Sequence, residues 1–314
     1  MRASTKALMA KHGWRIDRAI HNYLYFSFYY PYVRVVYHFF AFLARHLSWF
    51  KPLNLLIRAA FARYHAKVIS GEDAVKILEL DEDVTAVSEK NKQIVPFDHA
   101  YKILLQEPDF IAVMDCPCKK SLNAPEWTIN SCISVGKKTS QFWLDRCGAK
   151  YHARKISQKE AVDLVKKFRE KGYVTQAFFK VATGGSTGII CNCHIDTCVS
   201  LQATRFARRF DPGLTMNADS GYSMHRDEAL CRQCGACARI CQFEAIVQSG
   251  DQQTYHKEIC LGCGLCMEHC PEQAIRIYRD PQKTVPLDMD IVKNEYASVQ
   301  KIRDSSARSD AKRI

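Results

Sequence analysis

The residues of this chain that could do chemistry are its cysteines. The chain has 15 of them in 314 residues, with none before Cys116 and none after Cys270. Two stretches, 231–241 and 260–270, carry four cysteines each in the spacing C-x2-C-x2-C-x3-C. Three thiolates on one tight loop can reach three corners of a cube-shaped metal–sulfur cluster. This spacing therefore indicates iron–sulfur chemistry.

The two stretches are copies of one unit. Each cysteine of the second lies 29 residues after its counterpart in the first, and FEAI at 243–246 is echoed by EQAI at 272–275. On these motifs, residues 222–280 resemble the bacterial ferredoxins that hold two 4Fe-4S clusters. The resemblance implies a ferredoxin-like domain that transfers single electrons. A hairpin is expected at 245–256, between the two halves.

In those ferredoxins the fourth cysteine of each motif binds the cluster of the other motif. The resemblance therefore implies two crossed ligand sets, Cys231, Cys234, Cys237 and Cys270 for the first 4Fe-4S cluster and Cys260, Cys263, Cys266 and Cys241 for the second. Backbone N–H groups are expected to approach the sulfurs at Gly235, Gly262 and Gly264. Gln242 departs from the family, which usually has proline there to fix a turn. Two zinc sites are the alternative, and the crossed repeat disfavours them.

Seven further cysteines lie upstream of the repeat. Six are candidate ligands of a third metal site: Cys116, Cys118, Cys132, Cys191, Cys193 and Cys198. A C-x-C pair in an extended segment places both thiolates on one side, and two such pairs would converge if the strands they follow are neighbours. An iron–sulfur cluster is expected there, with zinc or buried structural thiols as alternatives. We expect Cys147 to be a core residue and His194 only a neighbour of the site.

Helices and strands alternate around these cysteines. Helices are predicted at 70–80, 96–106 and 157–172, and strands at 108–115 and 173–182. Ser70 is a suitable N-cap for the first helix, and Ser157 with Glu160 forms a capping box for the third. The glycine-rich run at 183–188 lacks the Lys-Ser/Thr of a phosphate-binding loop and is predicted to be a turn. The cysteines are predicted to lie in the loops that follow the strands.

The N-terminal segment has a different character. Residues 21–50 contain thirteen aromatic residues, and Pro31 and Pro52 bracket a predicted helix of about nineteen residues. One narrow polar stripe is expected along this helix, formed by Arg34, His38, Ala41, Arg45 and Ser48. Because charged residues interrupt the apolar run, the helix is not expected to span a membrane.

Most of the net charge of +12 also belongs to this segment. Residues 1–70 hold eleven Lys or Arg and one acid, whereas the rest of the chain holds 34 basic and 32 acidic residues. Aromatic and basic side chains together suit the bilayer interface, and Arg58, Arg63 and Lys67 would add attraction for anionic lipid. We expect residues 14–67 to dock on a membrane surface or a membrane subunit. The alternatives are a helical hairpin buried against the protein itself or against a partner; nucleic acid is not expected.

The predicted fold class is α+β in four parts. Residues 1–69 form the helical docking segment, 70–221 a small α/β domain with the third metal site, 222–282 the two-cluster ferredoxin domain, and 283–314 a helix and a disordered tail. No secretory signal is visible, and an odd cysteine count is a poor disulfide framework. Reduced thiolates in the cytoplasm are therefore expected.

These features predict an iron–sulfur protein that carries electrons between a soluble donor and a membrane-associated redox partner, peripheral on the inner face of the cell membrane. The alternative is a redox enzyme subunit with a metal active site in the middle domain, fed by the ferredoxin domain. No nucleotide, flavin or nucleophile–base motif supports a stand-alone enzyme. The whole chain is also similar to ferredoxin-domain proteins of anaerobic microbes that carry C-x-C motifs upstream.

Overall fold

The computed structural model describes residues 24, 27–47, 49–50, 52, 64–87, 93–94, 102–180, 188–207, 215–250 and 252–294. These residues form a mixed α+β structure. Its α-helices include α1 Tyr29–His46, α2 Gly71–Leu78, α3 Pro117–Ser121, α4 Lys137–Tyr151, α5 Gln158–Glu170, α6 Val199–Ala207, α7 Ala236–Ile240 and α8 Leu265–Glu268. Its strands include β1 Tyr64–Val68, β2 Val84–Val87, β3 Lys102–Leu105, β4 Ile111–Asp115, β5 Asn130–Val135, β6 Arg154–Ile156, β7 Val174–Lys180, β8 Ile189–Cys193, β9 Asn217–Ala218, β10 Tyr222–Arg226, β11 Ile246–Ser249, β12 Gln252–Tyr255 and β13 Ile275–Arg279.

A seven-stranded sheet holds the middle of the chain together, in the order β6-β4-β5-β8-β7-β1-β9. Neighbouring strands are antiparallel, except that β1 and β9 are parallel. Because side chains alternate along a strand, the sheet has two different faces. Ile133 and Ile190 face a core covered by α2 and α5. Cys132 and Cys191 face a second core beneath α1, α4 and α6.

Two of the three predicted helices of the middle region are confirmed. Ser70 caps α2 by accepting a hydrogen bond from the Asp73 N–H, and Ser157 caps α5 by accepting from the Glu160 N–H, both at 3.1 Å. The Glu160 carboxylate does not complete a capping box, because it pairs with Arg154 at 2.7 Å. Both predicted strands are also present, as β4 and β7.

The helix predicted at 96–106 is wrong where the structure describes it. Residues 102–105 form β3, which pairs antiparallel with β2. Ile103 and Leu105 from this strand are buried in the first core. A short apolar run fits either a helix or a strand, and the pairing partner decides between them.

The predicted boundary between residues 69 and 70 is also wrong. Residues 64–68 form β1 inside the sheet, between β7 and β9. Lys67, predicted as part of a basic surface, is fully buried and donates hydrogen bonds of 2.8 Å to the Asp219 carbonyl oxygen and to Thr284 Oγ1. The residues of the docking segment that lie in β1 therefore belong to the middle domain.

The C-terminal part of the described chain returns to the middle domain. Leu287, Met289 and Val292 are buried in the first core, against α2 and α5. The part predicted as 283–314 therefore starts with a segment that completes this core. Residues 289–294 are helical, and the rest of the predicted helix and tail lies outside the described residues, as do Arg58, Arg63 and residues 183–187.

The region after β9 has the strand pairing expected of the repeat. β11 and β12 form the predicted hairpin, and β10 pairs with β13. The short helices α7 and α8 begin at Gly235 and Gly264, whose φ angles are +72° and +82°. Glycine adopts this left-handed conformation without the steric cost of a Cβ, which explains its presence at the start of each helix.

The described part of the aromatic N-terminal segment includes α1, which ends at His46 rather than near Pro52. Its inner face, with Tyr29 and Val33, is buried in the second core, while Arg34, His38 and Arg45 are exposed. None of the helices in the described part of the chain combines the length and apolar character needed to cross a bilayer.

Candidate metal centres

The eight cysteines of the repeat line two small apolar cavities, four at each. Cys231, Cys234, Cys237 and Cys270 line one cavity, and Cys241, Cys260, Cys263 and Cys266 line the other. These are the two groups that the resemblance implies, so the fourth cysteine of each motif lies at the cavity of the other. Four thiols around an apolar cavity are the donor set that a 4Fe-4S cluster requires. The residues present therefore fit that cofactor.

Backbone and side-chain N–H groups contact the sulfurs of these cysteines. The Gly262 N–H donates to Cys260 Sγ and the Gln233 N–H to Cys231 Sγ, each at 3.4 Å. The first of these was expected at Gly262, and the second is its counterpart in the other copy. Hydrogen bonds to cluster sulfurs are one of the means by which a protein sets a reduction potential.

The cavity with Cys263 lies against the middle domain. Arg169, at the end of α5, is 3% exposed and donates to the Cys263 carbonyl oxygen at 2.7 Å. The same guanidinium pairs with the Glu268 carboxylate at 2.7 Å. Burial raises the pKa of the Cys263 thiol to about 12, although the Arg169 charge opposes the shift. Metal binding must therefore displace a proton from this thiol.

Gln242 connects the same cavity to the loop after β8. Its side-chain oxygen accepts a hydrogen bond of 2.7 Å from the Ile195 N–H. Its side-chain nitrogen donates to the Gly172 carbonyl oxygen. The next residue, Phe243, lines the Cys241 cavity and also packs against the second core of the middle domain. The position that departs from the ferredoxin pattern is thus a contact between domains.

All six candidate ligands of the third site line one cavity of about 130 Å³. Cys116 precedes α3 and Cys118 lies within it, Cys132 is in β5, Cys191 and Cys193 are in β8, and Cys198 precedes α6. The prediction that these cysteines lie in loops is wrong for Cys118, which is in α3, and for Cys132, Cys191 and Cys193, which are in strands. The two predicted strands, β4 and β7, are not neighbours as the prediction required, because β5 and β8 lie between them and supply Cys132, Cys191 and Cys193.

The six thiols contact one another directly. Cys132 Sγ lies 3.8 Å from Cys191 Sγ. Hydrogen bonds from Cys118 and Cys132 lower the pKa of the Cys116 thiol well below its usual value. The hydrogen bond with Cys116, together with burial, raises the pKa of Cys118 well above the usual value. These hydrogen bonds therefore favour the thiolate form of Cys116 and the thiol form of Cys118.

A buried cation lies beside the thiols. Lys119 is 1% exposed, and its Nζ donates to Ser131 Oγ at 2.9 Å and to the Thr128 carbonyl oxygen at 3.1 Å. The same ammonium group lies 4.0 Å from the centre of the Phe168 ring. Burial lowers the pKa of Lys119, an effect that charge on Cys116 opposes. Lys119 was not among the residues predicted for this site, although its position directly after the first C-x-C pair was a signal for a counter-charge.

Helix α1 covers this cavity. Tyr32, Val33, Val36 and Phe40 line it from the inner face of the helix. The Tyr29 N–H donates to the Tyr151 hydroxyl at 3.1 Å, which holds the start of α1 against α4. The thiols are consequently enclosed between the sheet and an aromatic helix.

Cys147 and His194, which were not predicted to be ligands, do not line this cavity. Cys147 is fully buried in α4, and burial raises its pKa to about 12. His194 Nδ1 faces the Asp196 carboxylate at 3.4 Å. Within the described ranges, no group of three or more Cys, His, Asp or Glu side chains is arranged for a single metal ion, and this holds for the eight cysteines of the repeat as well.

The ferredoxin-like region matches a known protein family. Residues 230–275 match the family described as 4Fe-4S dicluster domain. No curated protein matches the chain significantly. The C-terminal region is therefore an iron–sulfur domain of the ferredoxin type, which binds 4Fe-4S and transfers electrons.

Proposed function

We propose that this protein relays electrons through three metal centres between a soluble donor and a membrane-associated partner. Two 4Fe-4S clusters occupy the ferredoxin domain, and a third centre lies in the cavity of the middle domain that the six thiols line, bound by some of them. The observation that carries the proposal is the contact of Phe243, which lines the Cys241 cavity and packs against the core that contains Cys193 and Cys198. An electron at the second cluster would thus be next to the middle domain.

The two ferredoxin clusters take the crossed ligand sets, one at each of the two cavities. The separation of the eight cysteines into two groups of four supports this assignment. When bound, the clusters supply the one-electron chemistry. The chain's own residues bind them through thiolates, exclude water with apolar side chains and donate N–H groups to the sulfurs.

The third centre is an iron–sulfur cluster rather than zinc. Its six thiols are enclosed with one buried ammonium group, that of Lys119, which offsets part of the negative charge of bound thiolates. The neighbouring ferredoxin domain gives a redox-active centre at this place an electron source, which zinc could not use.

In this proposal the N-terminal helix docks on the inner face of the cell membrane. Val35, Phe39 and Phe42 recur at spacings of four and three, and each is at least half exposed. They form an outward apolar stripe on α1, which we call the outer stripe. Arg34 and Arg45 are exposed beside it and would attract anionic lipid. A lipid surface would cover both features together.

Metal analysis tests the number of centres. Iron, acid-labile sulfide and zinc are measured on full-length protein purified without oxygen, and on the double variant Cys191→Ala, Cys193→Ala. The proposal expects about twelve irons per chain, falling to about eight in the variant. About eight irons in both would contradict a third cluster.

A redox enzyme subunit is the second candidate. The enclosed apolar cavity beside the six thiols favours it, because small-molecule sites are concave and mostly apolar. A substrate that is turned over by the full chain with a one-electron donor would support this candidate over a carrier.

A further inference from the structure

We propose that Cys132 and Cys191 form a dithiol–disulfide couple that exchanges two electrons with the clusters of the ferredoxin domain. The couple would be a reversible two-electron store inside a protein whose other centres carry single electrons. It rests on the proposed function only for the source of those electrons. The family match covers residues 230–275 and therefore includes neither Cys132 nor Cys191.

The first argument is the register of the two strands. Cys132 of β5 lies directly opposite Cys191 of β8. The Val135 N–H donates to the Gly188 carbonyl oxygen at 2.9 Å, which makes those two residues a hydrogen-bonded pair. Such pairs alternate with non-hydrogen-bonded ones along an antiparallel ladder, so the Cys132–Cys191 pair, three positions away, is non-hydrogen-bonded.

This type of pair suits a disulfide. Its Cα atoms are typically about 4.5 Å apart, which lies within the range of about 4.4–6.8 Å that disulfides span. The Sγ atoms are already 3.8 Å apart, so a small side-chain rotation would bring them to bonding distance. The sheet fixes both backbones, so no other movement is required.

The second argument is the number of thiols. A cubane cluster or a tetrahedral metal needs four protein ligands, and this cavity has six thiols. Cys116 directly follows β4 and Cys193 ends β8, whereas Cys118 lies in α3 and Cys198 directly precedes α6. Cys132 and Cys191 lie within strands, and the sheet pairs these two residues with each other. The other four thiols can bind the third centre while this pair remains available.

The reaction balances without a further reagent. In the reducing direction the Cys132–Cys191 S–S bond breaks, two reduced 4Fe-4S clusters each give one electron, and two protons from solvent complete the two thiols. In the oxidising direction the S–S bond forms, two oxidised clusters each accept one electron, and both protons are released. The donor that reduces the clusters in the proposed function therefore also supplies the electrons that reduce the disulfide.

The test is thiol mapping under controlled potential. Full-length protein with its clusters is poised without oxygen at a series of potentials, quenched with an alkylating reagent in denaturant and analysed by mass spectrometry. We expect two fewer free thiols per chain at oxidising potentials, with the disulfide peptide joining Cys132 to Cys191. The loss should follow a two-electron curve. A wild-type protein in which both cysteines are alkylated at every potential would overturn the proposal.

Two variants separate a redox couple from metal ligands. Cys132→Ser should abolish the two-electron step and leave iron per chain unchanged, whereas a fall in iron would identify Cys132 as a ligand and overturn the proposal. Cys147→Ser is the matched control, because Cys147 is buried in the same core but does not line the cavity. This variant should change neither the two-electron step nor the iron content per chain. If the wild type lacks the third cluster, the relay fails, and the disulfide mapping still decides the couple on its own.

Discussion

The side-chain oxygen of Gln242 accepts a hydrogen bond of 2.7 Å from the backbone N–H of Ile195. Gln242 directly follows Cys241 of the ferredoxin domain, and Ile195 follows Cys193 of the middle domain by two residues. One hydrogen bond therefore joins the ligand loop of the proposed second cluster to the loop that carries the middle thiols.

Replacing Gln242 by leucine should weaken this interface. The variant loses the hydrogen bonds to Ile195 and Gly172, each worth about 1 kcal/mol. We expect a lower midpoint of thermal unfolding and slower reduction of the middle centre after the ferredoxin clusters are reduced, measured by rapid mixing. Gln248→Leu is the control, because in the described part of the chain the Gln248 side chain hydrogen-bonds within the ferredoxin domain, to Gln233 and Gly250 among others. Equal reduction rates in the two variants would contradict a role for Gln242 in the relay.

Replacing Arg169 by methionine should release the second cluster. The variant leaves the Glu268 carboxylate without its guanidinium partner and removes the hydrogen bond to the Cys263 carbonyl oxygen. Breaking such a buried pair costs about 3 kcal/mol, the lower end of the usual range because Glu268 is partly exposed. The measurement is the rate of iron loss to a chelator, which should rise by at least about tenfold.

The control for Arg169 is Arg154 of β6, which forms an ion pair with the same helix. Arg154 pairs with Glu160 at 2.7 Å near the start of α5, and both side chains are about half exposed. An exposed pair of this kind contributes less than about 1 kcal/mol, so Arg154→Met should leave iron release unchanged. Similar release from both variants would show that the buried pair does not hold the cluster.

Local spacing explains why the ferredoxin cysteines could be assigned from the sequence. The ligands of one loop lie within about ten residues of each other, so their proximity can be predicted without knowledge of the fold. The six middle cysteines are different. Cys191 and Cys193 could be placed on one face by the period of a strand, but their meeting with Cys116 depends on strand order, which brings β5 between β4 and β8. Strand order is a long-range property that no local pattern contains.

Tertiary contacts also explain the predictions that were wrong. Lys67 has the residue type of a surface cation, yet the sheet places it in β1 and buries it. Residues 102–105 have an apolar run that suits a helix, yet β2 pairs with them. The contact that Gln242 makes with the middle domain could have been suspected from the sequence. The ferredoxin pattern has a turn-fixing proline at this position, and a polar residue in its place indicates a different interaction.

Removing the outer stripe of α1 should reduce lipid binding. The double variant Phe39→Ser, Phe42→Ser removes two side chains that are 50% and 56% exposed. Each buried phenylalanine is worth about 1.5–3 kcal/mol, so affinity for anionic phospholipid vesicles in a co-sedimentation assay should fall by at least about tenfold. Val247→Ser, Tyr278→Ser removes two side chains of similar exposure from the ferredoxin domain and should bind as the wild type does. If both double variants bind the vesicles as tightly as the wild type does, the outer stripe is not a lipid-binding surface.

Lys67 should make stability depend on pH. Burial lowers its pKa to about 7, against the opposing effect of the nearby carboxylates of Asp219 and Asp73 and with a smaller contribution from Arg279. A lysine with a lowered pKa binds its proton less readily when folded, so between its folded pKa of about 7 and its unfolded pKa of about 10.4 the unfolded chain holds more protons. Stability contributed by Lys67 therefore rises with pH across that window, with a slope of at most about 1.4 kcal/mol per pH unit.

The variant Lys67→Met isolates this effect, because methionine fills similar space and does not titrate. We expect the free energy of unfolding of the wild type, relative to Lys67→Met, to increase from pH 7.5 to pH 9.5 (about two units within the window). Chemical denaturation of full-length protein at each pH measures the difference. Lys76→Met is the control: Lys76 pairs with Asp288 and Asp290 near the surface, and hydrogen bonds to them raise its pKa. Its contribution should stay constant over the same range, and a constant difference for Lys67→Met as well would mean that Lys67 stays protonated in the folded protein.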